Sequence, residues 1–413
     1  MEEKTRRATQ SPYRTSCEGF SINTRSRRSF SKRRSLHIST ESPLVRGSSI
    51  GNAVHAVAII CCLGSRPPLP GPNGEAKNPE VNSSRAAAAR SHVPNKKKMA
   101  RNFHRPLNTN RAIEVFLERC LDIYGTEFRT HSGNTRPLAE IVQNIRDAEA
   151  AVLQVQDVPT LTHDDNRDMR YRNRASRDDL RTQILTELWT LDRLTNDEDI
   201  SLGNGGAQPI GRTAALEKRA YIVTGLPASG KSTMVNKIAD QLGAVVVDSD
   251  YAKRKLPEFK SDAGAQLVHA ESAIITEGED SGDRQEVPSL LGLCRKQGTN
   301  VVMPKIGHSQ KSLDELAGAF VKAGYEIHLT MVEVSRTEAS MRALHRFCDT
   351  KRYVPLGLIF DTYANDPALT YYKYRVQAMN GTTPWKSFGA VSNSSGAYVR
   401  TDCTSQENPA ALF

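Results

Sequence analysis

Three shortages narrow the class of this chain before any motif is read. Seven cysteines are scattered at Cys17, Cys61, Cys62, Cys120, Cys294, Cys348 and Cys403, with no C-x-x-C pair and no grouping with histidine. That excludes a disulfide framework and a thiolate metal centre, and reduced thiols fit a cytoplasmic site of action. Long apolar runs are missing too: the longest, 53–63, is too short to span a bilayer and stands too far along for an ordinary signal peptide. No membrane partner is therefore expected. Acidic residues are scarce at one end only. Residues 1–100 hold 18 of the 56 Lys+Arg but 6 of the 46 Asp+Glu, so the rest of the chain stands at 38 to 40. The net charge of +10 belongs to the start of the chain and gives no reason to expect nucleic acid at its core.

Ser, Arg, Pro and Gly dominate residues 1–98, and no hydrophobic period persists there. A disordered basic leader is the expectation. Its runs RSRRSFSKRRS (25–35) and NKKKMA (95–100) read first as solvated charge, with a polyanion-binding or nuclear-localisation patch as the alternative. A leader for secretion into another cell, a transit segment weakened by Glu2 and Glu3, and a start misassigned ahead of Met99 are the other readings.

From about Asn110 the pattern turns helical. Ile113, Phe116, Leu117, Cys120, Leu121 and Tyr124 share one face of a helix over 111–125, and 138–155 and 177–194 behave alike. This 99–205 region is expected either to make a small bundle or to lie against the domain that follows, and it holds no catalytic constellation. The Gly-rich stretch 196–212, with a linker set at 206–218, marks the boundary of a domain over 219–401, and 402–413 is expected to be a frayed tail.

The domain opens on a short β-branched run, 219–224, followed by Gly225, Leu226, Pro227, Ala228, Ser229, Gly230, Lys231 and Ser232. These eight residues fit G-x-x-x-x-G-K-[ST], the phosphate loop whose amides and helix N-terminus cradle a polyphosphate. Lys231 would reach the β- and γ-phosphates of ATP, Ser232 would complete a Mg²⁺ shell, and Thr233 would help with the remaining phosphates. Met234, Val235, Ile238 and Leu242 continue as a helix, and 244–247 is a second buried strand.

Asp250 leaves the carboxyl end of that strand, where ligands bind in open α/β sheets, and a carboxylate there can take a hydroxyl proton. Asp248 is the alternative, as base or as helix cap. Helices are expected over 262–279 and 286–297, with an exposed acidic loop between them; His269 and Glu271 read as structural before they read as acceptor contacts. A strand at 300–303, a helix through Leu313 and Phe320, and a strand over 325–334 keep strand and helix alternating. The fold class is therefore α/β, a mostly parallel sheet with helices on both faces. Arg342 and Arg346 share a helix face with Arg352 just beyond, cations that repel unless an anion sits among them.

The ordered set GLPASGKST, VVVDSDYAKRKLPEF, NVV, KAGYEIHLTMVEV and the R-x-x-x-R helix leading into RYVP resembles the zeta toxins, over about 220–358. That resemblance implies a P-loop kinase in which Asp250 deprotonates the acceptor hydroxyl and Lys231, Arg346 and Arg352 grip the ATP phosphates. It also implies phosphorylation of the 3′-hydroxyl of a UDP-N-acetyl amino sugar, and a small helical antitoxin that blocks the ATP site. The chain departs from the family pattern after the third strand, where Pro304, Lys305 and Ile306 replace Glu-Gly-Thr. Lost hydrogen-bond partners there weigh on acceptor selectivity, and Lys305 with His308 points to a more anionic acceptor, such as a dinucleotide. A polynucleotide 5′-hydroxyl kinase and a non-catalytic ATP-gated interaction module are the rival readings.

Overall fold

The computed structural model describes residues 104–413 apart from 262, 279–287 and 395, so the expected leader and most of the expected acidic loop lie outside the described residues. The upstream region supplies α1 (Asn110–Leu121), a hairpin of β1 (Glu127–Arg129) and β2 (Thr135–Pro137), α2 (Leu138–Val155) and α3 (Arg174–Thr190). Thr109 and Asn173 cap α1 and α3 with side-chain oxygens, as short polar residues do at orphan helix amides. The small hairpin corrects the purely helical reading of 99–205; two three-residue strands carry too little periodicity to be seen in sequence.

The domain proper runs β3 (Arg219–Thr224), α4 (Lys231–Leu242), β4 (Val245–Val246), α5 (Ser249–Lys255), α6 (Gly264–Leu267), α7 (His269–Glu277), α8 (Leu290–Gln297) and β5 (Val301–Lys305). It continues with α9 (Gln310–Lys322), β6 (Glu326–Glu333), α10 (Arg336–Thr350), α11 (Asp366–Met379), β7 (Ser387–Ser392) and β8 (Val399–Cys403). The six strands β3 to β8 form one sheet in the order β4-β5-β3-β6-β7-β8, parallel except for β8. Five of the six β3 residues are buried, so both faces of this central strand are covered, as an all-parallel neighbourhood requires. The carboxyl ends of β3, β4 and β5 open on one edge, where α4 and α5 begin.

The upstream helices do not form a bundle of their own. Leu180, Ile184 and Leu188 of α3 join the same hydrophobic cluster as β3 to β7, while Ile113, Phe116, Ile141 and Ile145 of α1 and α2 pack with Ala343, Leu344 and Phe347 of α10. Two expectations about the edges of the domain are corrected. The supposed linker is packed: Ala207 is fully buried and accepts from Val246 N at 2.9 Å, and a Cβ at Gly206 would meet the Leu191 carbonyl at 2.0 Å. The supposed frayed tail is anchored. Asn408, 1% exposed, donates to Leu329 O and Ser387 Oγ and accepts from Thr330 Oγ1, and Ala410 is fully buried. Polarity and glycine content suggested freedom in both places; specific backbone approaches and hydrogen bonds decided otherwise.

Candidate active site

The phosphate loop crosses from β3 to α4 in backbone conformations that need glycine. Gly225 (φ 151°) and Gly230 (φ 93°) have no room for a Cβ, which would meet Val332 O at 2.5 Å and Asn393 Nδ2 at 2.4 Å respectively. Leu226, Pro227, Ala228 and Ser229 fill the turn, Ala228 with φ 61°. Lys231 folds back so that Nζ donates to the carbonyls of Gly225 at 2.8 Å and Leu226 at 2.7 Å. Ser232 and Thr233 are exposed on the first turn of α4. The Ser229 hydroxyl is buried within the loop without a partner among the described residues. An orphaned hydroxyl, a lysine held only by loop carbonyls and exposed amides at a helix start are the donor set a polyphosphate takes, so the residues fit ATP.

Asp248 caps α5 by accepting from Asp250 N at 2.9 Å, which settles its position as the helix cap. Asp250, in the first turn, is gripped by two cations: Lys253 Nζ at 2.9 Å and the Arg352 guanidinium. Burial alone would raise the Asp250 carboxyl, but Lys253, Arg352 and Arg254 outweigh it and hold it far below the usual range. Its neighbour goes the other way. Burial and then the Asp250 charge push Asp248 up to about 6. Two carboxylates two residues apart are thus split in proton affinity, with Asp250 the stronger acid.

Arg346 differs from its neighbours in having nothing to hold. Its guanidinium makes no hydrogen bond or ion pair among the described residues, and its Nε is buried. Burial and the proximity of Arg352 bring it down to about 10 despite Asp250 and Glu198. Lys231 falls to about 8, chiefly through burial, with Arg346 adding repulsion and Asp248 and Asp250 opposing. Arg346 is thus near enough to Lys231 to repel its proton. Arg342, the weaker third candidate, spends its donors on Glu338 at 2.7 Å and Asn393 O at 2.7 Å.

Sequence reasoning missed several contributors. Glu198, in the 3₁₀ turn Asp197–Asp199, accepts from Arg254 at 2.6 Å and Arg352 at 3.3 Å. Asn393 and Tyr398 hold the loop from behind, donating to Ser229 O at 3.0 Å and Gly230 O at 2.6 Å. No local pattern announces these, because each reaches the site across tertiary contacts; only the i,i+3 pair Asp250–Lys253 was visible in principle. Of the other residues singled out, Glu271 lies in a buried ion cluster with Arg177 and Arg181, and so has a structural place. Lys305 is tied to Glu277, and the His308 ring lies 4.9 Å from that of Tyr363.

A parallel sheet with a phosphate loop after its central strand, a carboxylate on the next helix and arginines closing over both defines a P-loop nucleotide-binding domain of the phosphotransferase type. Residues 209–366 match the model of the zeta toxin family. Among solved structures it is similar to a chain of the PezAT chromosomal toxin-antitoxin system of Streptococcus pneumoniae, with 13% identity over 49% of this chain and 78% of that one and a TM-score of 0.36. It is also similar to the AvrRxo1-ORF1:-ORF2 complex, with 14% identity, 59% and 70% covered and a TM-score of 0.37. A gluconokinase from Sinorhizobium meliloti follows at 18% identity, 43% and 84% covered and a TM-score of 0.24. No curated protein matches the chain.

Proposed function

We propose that the chain is an ATP-dependent kinase that transfers the γ-phosphate to a hydroxyl of a small molecule. The observation that carries this reading is Arg346: a half-buried guanidinium without a partner among the described residues, near Lys231 of a phosphate loop and near an ionised Asp250. An unpaired guanidinium near the lysine of a phosphate loop marks an anion site, and the loop restricts the anion to a polyphosphate. In the reaction the acceptor oxygen forms a bond to the γ-phosphorus while the bond to the bridging oxygen of ADP breaks. The acceptor proton passes to Asp250, and the charge that spreads over the phosphoryl oxygens falls to Lys231, Arg346 and Arg352. Mg²⁺ bound with ATP would neutralise the bridging phosphates, and the exposed Ser232 hydroxyl is the residue that would hold it. The family points to the 3′-hydroxyl of UDP-N-acetylglucosamine as the first acceptor to try and to a small antitoxin as the partner.

Arg352 must leave Asp250, at least in part, for that carboxylate to accept a proton. A phosphate arriving between Lys231 and Arg346 supplies the competing anion, so nucleotide binding and release of the base are coupled in this reading.

The test is transfer from γ-labelled ATP to UDP-N-acetylglucosamine, NAD and a cell metabolite extract. Asp250→Asn should lower transfer by ~10²–10⁴ while leaving ATP bound, the range a positioned general base contributes. Bound ATP with no transfer to any acceptor would replace the kinase by an ATP-gated interaction module, and undiminished transfer by Asp250→Asn would remove the base.

A further inference from the structure

The guanidinium of Arg352 is shared. One of its amino groups is on Asp250 and the other donates to Glu198 at 3.3 Å. Glu198 belongs neither to the helix that carries the base nor to the family-matched span: it stands on the 3₁₀ turn Asp197–Asp199, upstream of residue 209. That turn is fixed from three sides. Asn196 accepts from the Glu198 amide at 3.2 Å, Asp197 accepts from the Tyr251 hydroxyl of α5 at 2.8 Å, and Ile200 is buried in the central core. The Glu198 carboxylate then meets two guanidiniums that are nearly closed to water, Arg254 with 6% of its side chain exposed and Arg352 with 15%. An ion pair in open solvent contributes little, but these cations are buried ones, and Glu198 is one of two carboxylates paired with Arg352 among the described residues.

A guanidinium with a single carboxylate closes onto it in a tight, often bidentate pair. With Asp250 as its sole anion, Arg352 would therefore keep the base from its proton. A second carboxylate at the far edge of the guanidinium lets Arg352 loosen from Asp250 without leaving the site. We infer that Glu198 is a positioning residue for phosphoryl transfer, an upstream carboxylate that retains Arg352 at the site when Asp250 releases it. The inference rests on the kinase reading and adds to it a contributor from outside the matched span. In this role Glu198 acts through Arg352 alone. Its contact with Arg254, at 2.6 Å, is a separate one that anchors α5.

The experiment measures transfer from γ-labelled ATP by the full chain to a protein-free bacterial metabolite extract held at one concentration. The parent, Glu198→Gln, Arg352→Ala and the double variant are compared. Glutamine keeps the size and the acceptor oxygen and removes the charge, and at a position 45% exposed it remains solvated. Glu198→Gln should lower the rate at saturating ATP by about tenfold or more without raising the KM for ATP, since no group that grips the nucleotide has been removed. In the Arg352→Ala background the same change should alter the rate less than about twofold, because its target is gone. Tyr251→Phe cuts the neighbouring anchor of the same turn and touches no arginine; whatever it costs should be equal in both backgrounds. An equal loss from Glu198→Gln with and without Arg352 would overturn the role and leave Glu198 as an anchor of Arg254. A rate at the parent level, or a faster one with a lower KM for ATP, would overturn it too, the second by making Glu198 a competitor of the phosphates. No transfer from the parent would sink the kinase reading itself, and this role with it.

Discussion

Lys231 and Arg346 show how single residues carry the energetics of the site. Both are held down by burial, Lys231 to about 8, and both would be drawn up again by a polyphosphate between them. ATP binds the protonated lysine, so affinity is level below about pH 8 and weakens as the empty site loses its proton above it, by up to ~10-fold per pH unit until the bound-state value is reached. Calorimetric titration with ATP at pH 8.5 in buffers of different ionisation enthalpy should show proton uptake, and at pH 7 very little. A dissociation constant that stays flat from pH 7 to 9 with no uptake would mean that Lys231 does not meet the phosphates. This residue could be read in the sequence because the phosphate loop is a local motif, eight residues whose spacing encodes its geometry. Arg346 and Arg352 were readable only as cations lacking a reason. What divides their work is tertiary: Arg352 meets Asp250, 102 residues away in sequence, and the Arg346 guanidinium has no partner among the described residues.

At the scale of elements, the helix that bears the base is the telling case. The seven residues of α5 are too few to hold a helix in water, so its order must come from packing. Three polar anchors run from it to the upstream segment. The Tyr251 hydroxyl donates to Asp197 at 2.8 Å, Arg254 to Glu198 at 2.6 Å, and the buried Lys255 ammonium to Glu187 at 2.7 Å, Ser201 O at 2.9 Å and Asn204 O at 3.1 Å. Lys255→Met should therefore cost about 3 kcal/mol by urea denaturation, because it takes the cation from the partly buried Glu187 carboxylate and the donor from two carbonyls at once. It should also lower kcat more than it raises the KM for ATP, since the anchored helix carries Asp250 and not the phosphate loop. A loss under about 1 kcal/mol would show that water replaces the ammonium without penalty. The strands and longer helices of this domain were legible because their apolar period reports burial. The 196–212 segment was not, because its structure rests on a lysine from another element, and a Gly-rich, polar composition looks the same whether the backbone is packed or free.

For the whole molecule, the family-matched span is not the folding unit. Hydrophobic contacts join α3 upstream and β7 downstream to the same core as the central strand, and a buried ion cluster fastens α3 to the matched span. Arg177 of α3, fully buried, bonds Glu258 at 2.8 Å and Glu271 of α7 at 2.6 Å, while Arg181 and Thr160 add further bonds to Glu271. Burial would raise the Glu271 carboxyl, but Arg177 and the other donors outweigh it and bring it to about 2. A carboxylate depressed from 4.5 in this way gives the native state on the order of 3 kcal/mol, in full above its unfolded value and lost progressively as the pH falls towards about 2. Glu271→Gln removes that dependence along with the bond. At pH 7 the variant should be less stable by about 3–5 kcal/mol, because Arg177 then keeps only Glu258 in a site closed to water. As the pH drops from about 4.5, the parent should lose stability faster than the variant, and the gap between their urea midpoints should narrow. Curves that stay parallel down to pH 3 would assign the acid sensitivity to other carboxylates, Asp250 first among them, and would leave the apolar contacts of Leu180, Ile184 and Leu188 as what binds the upstream region to the domain.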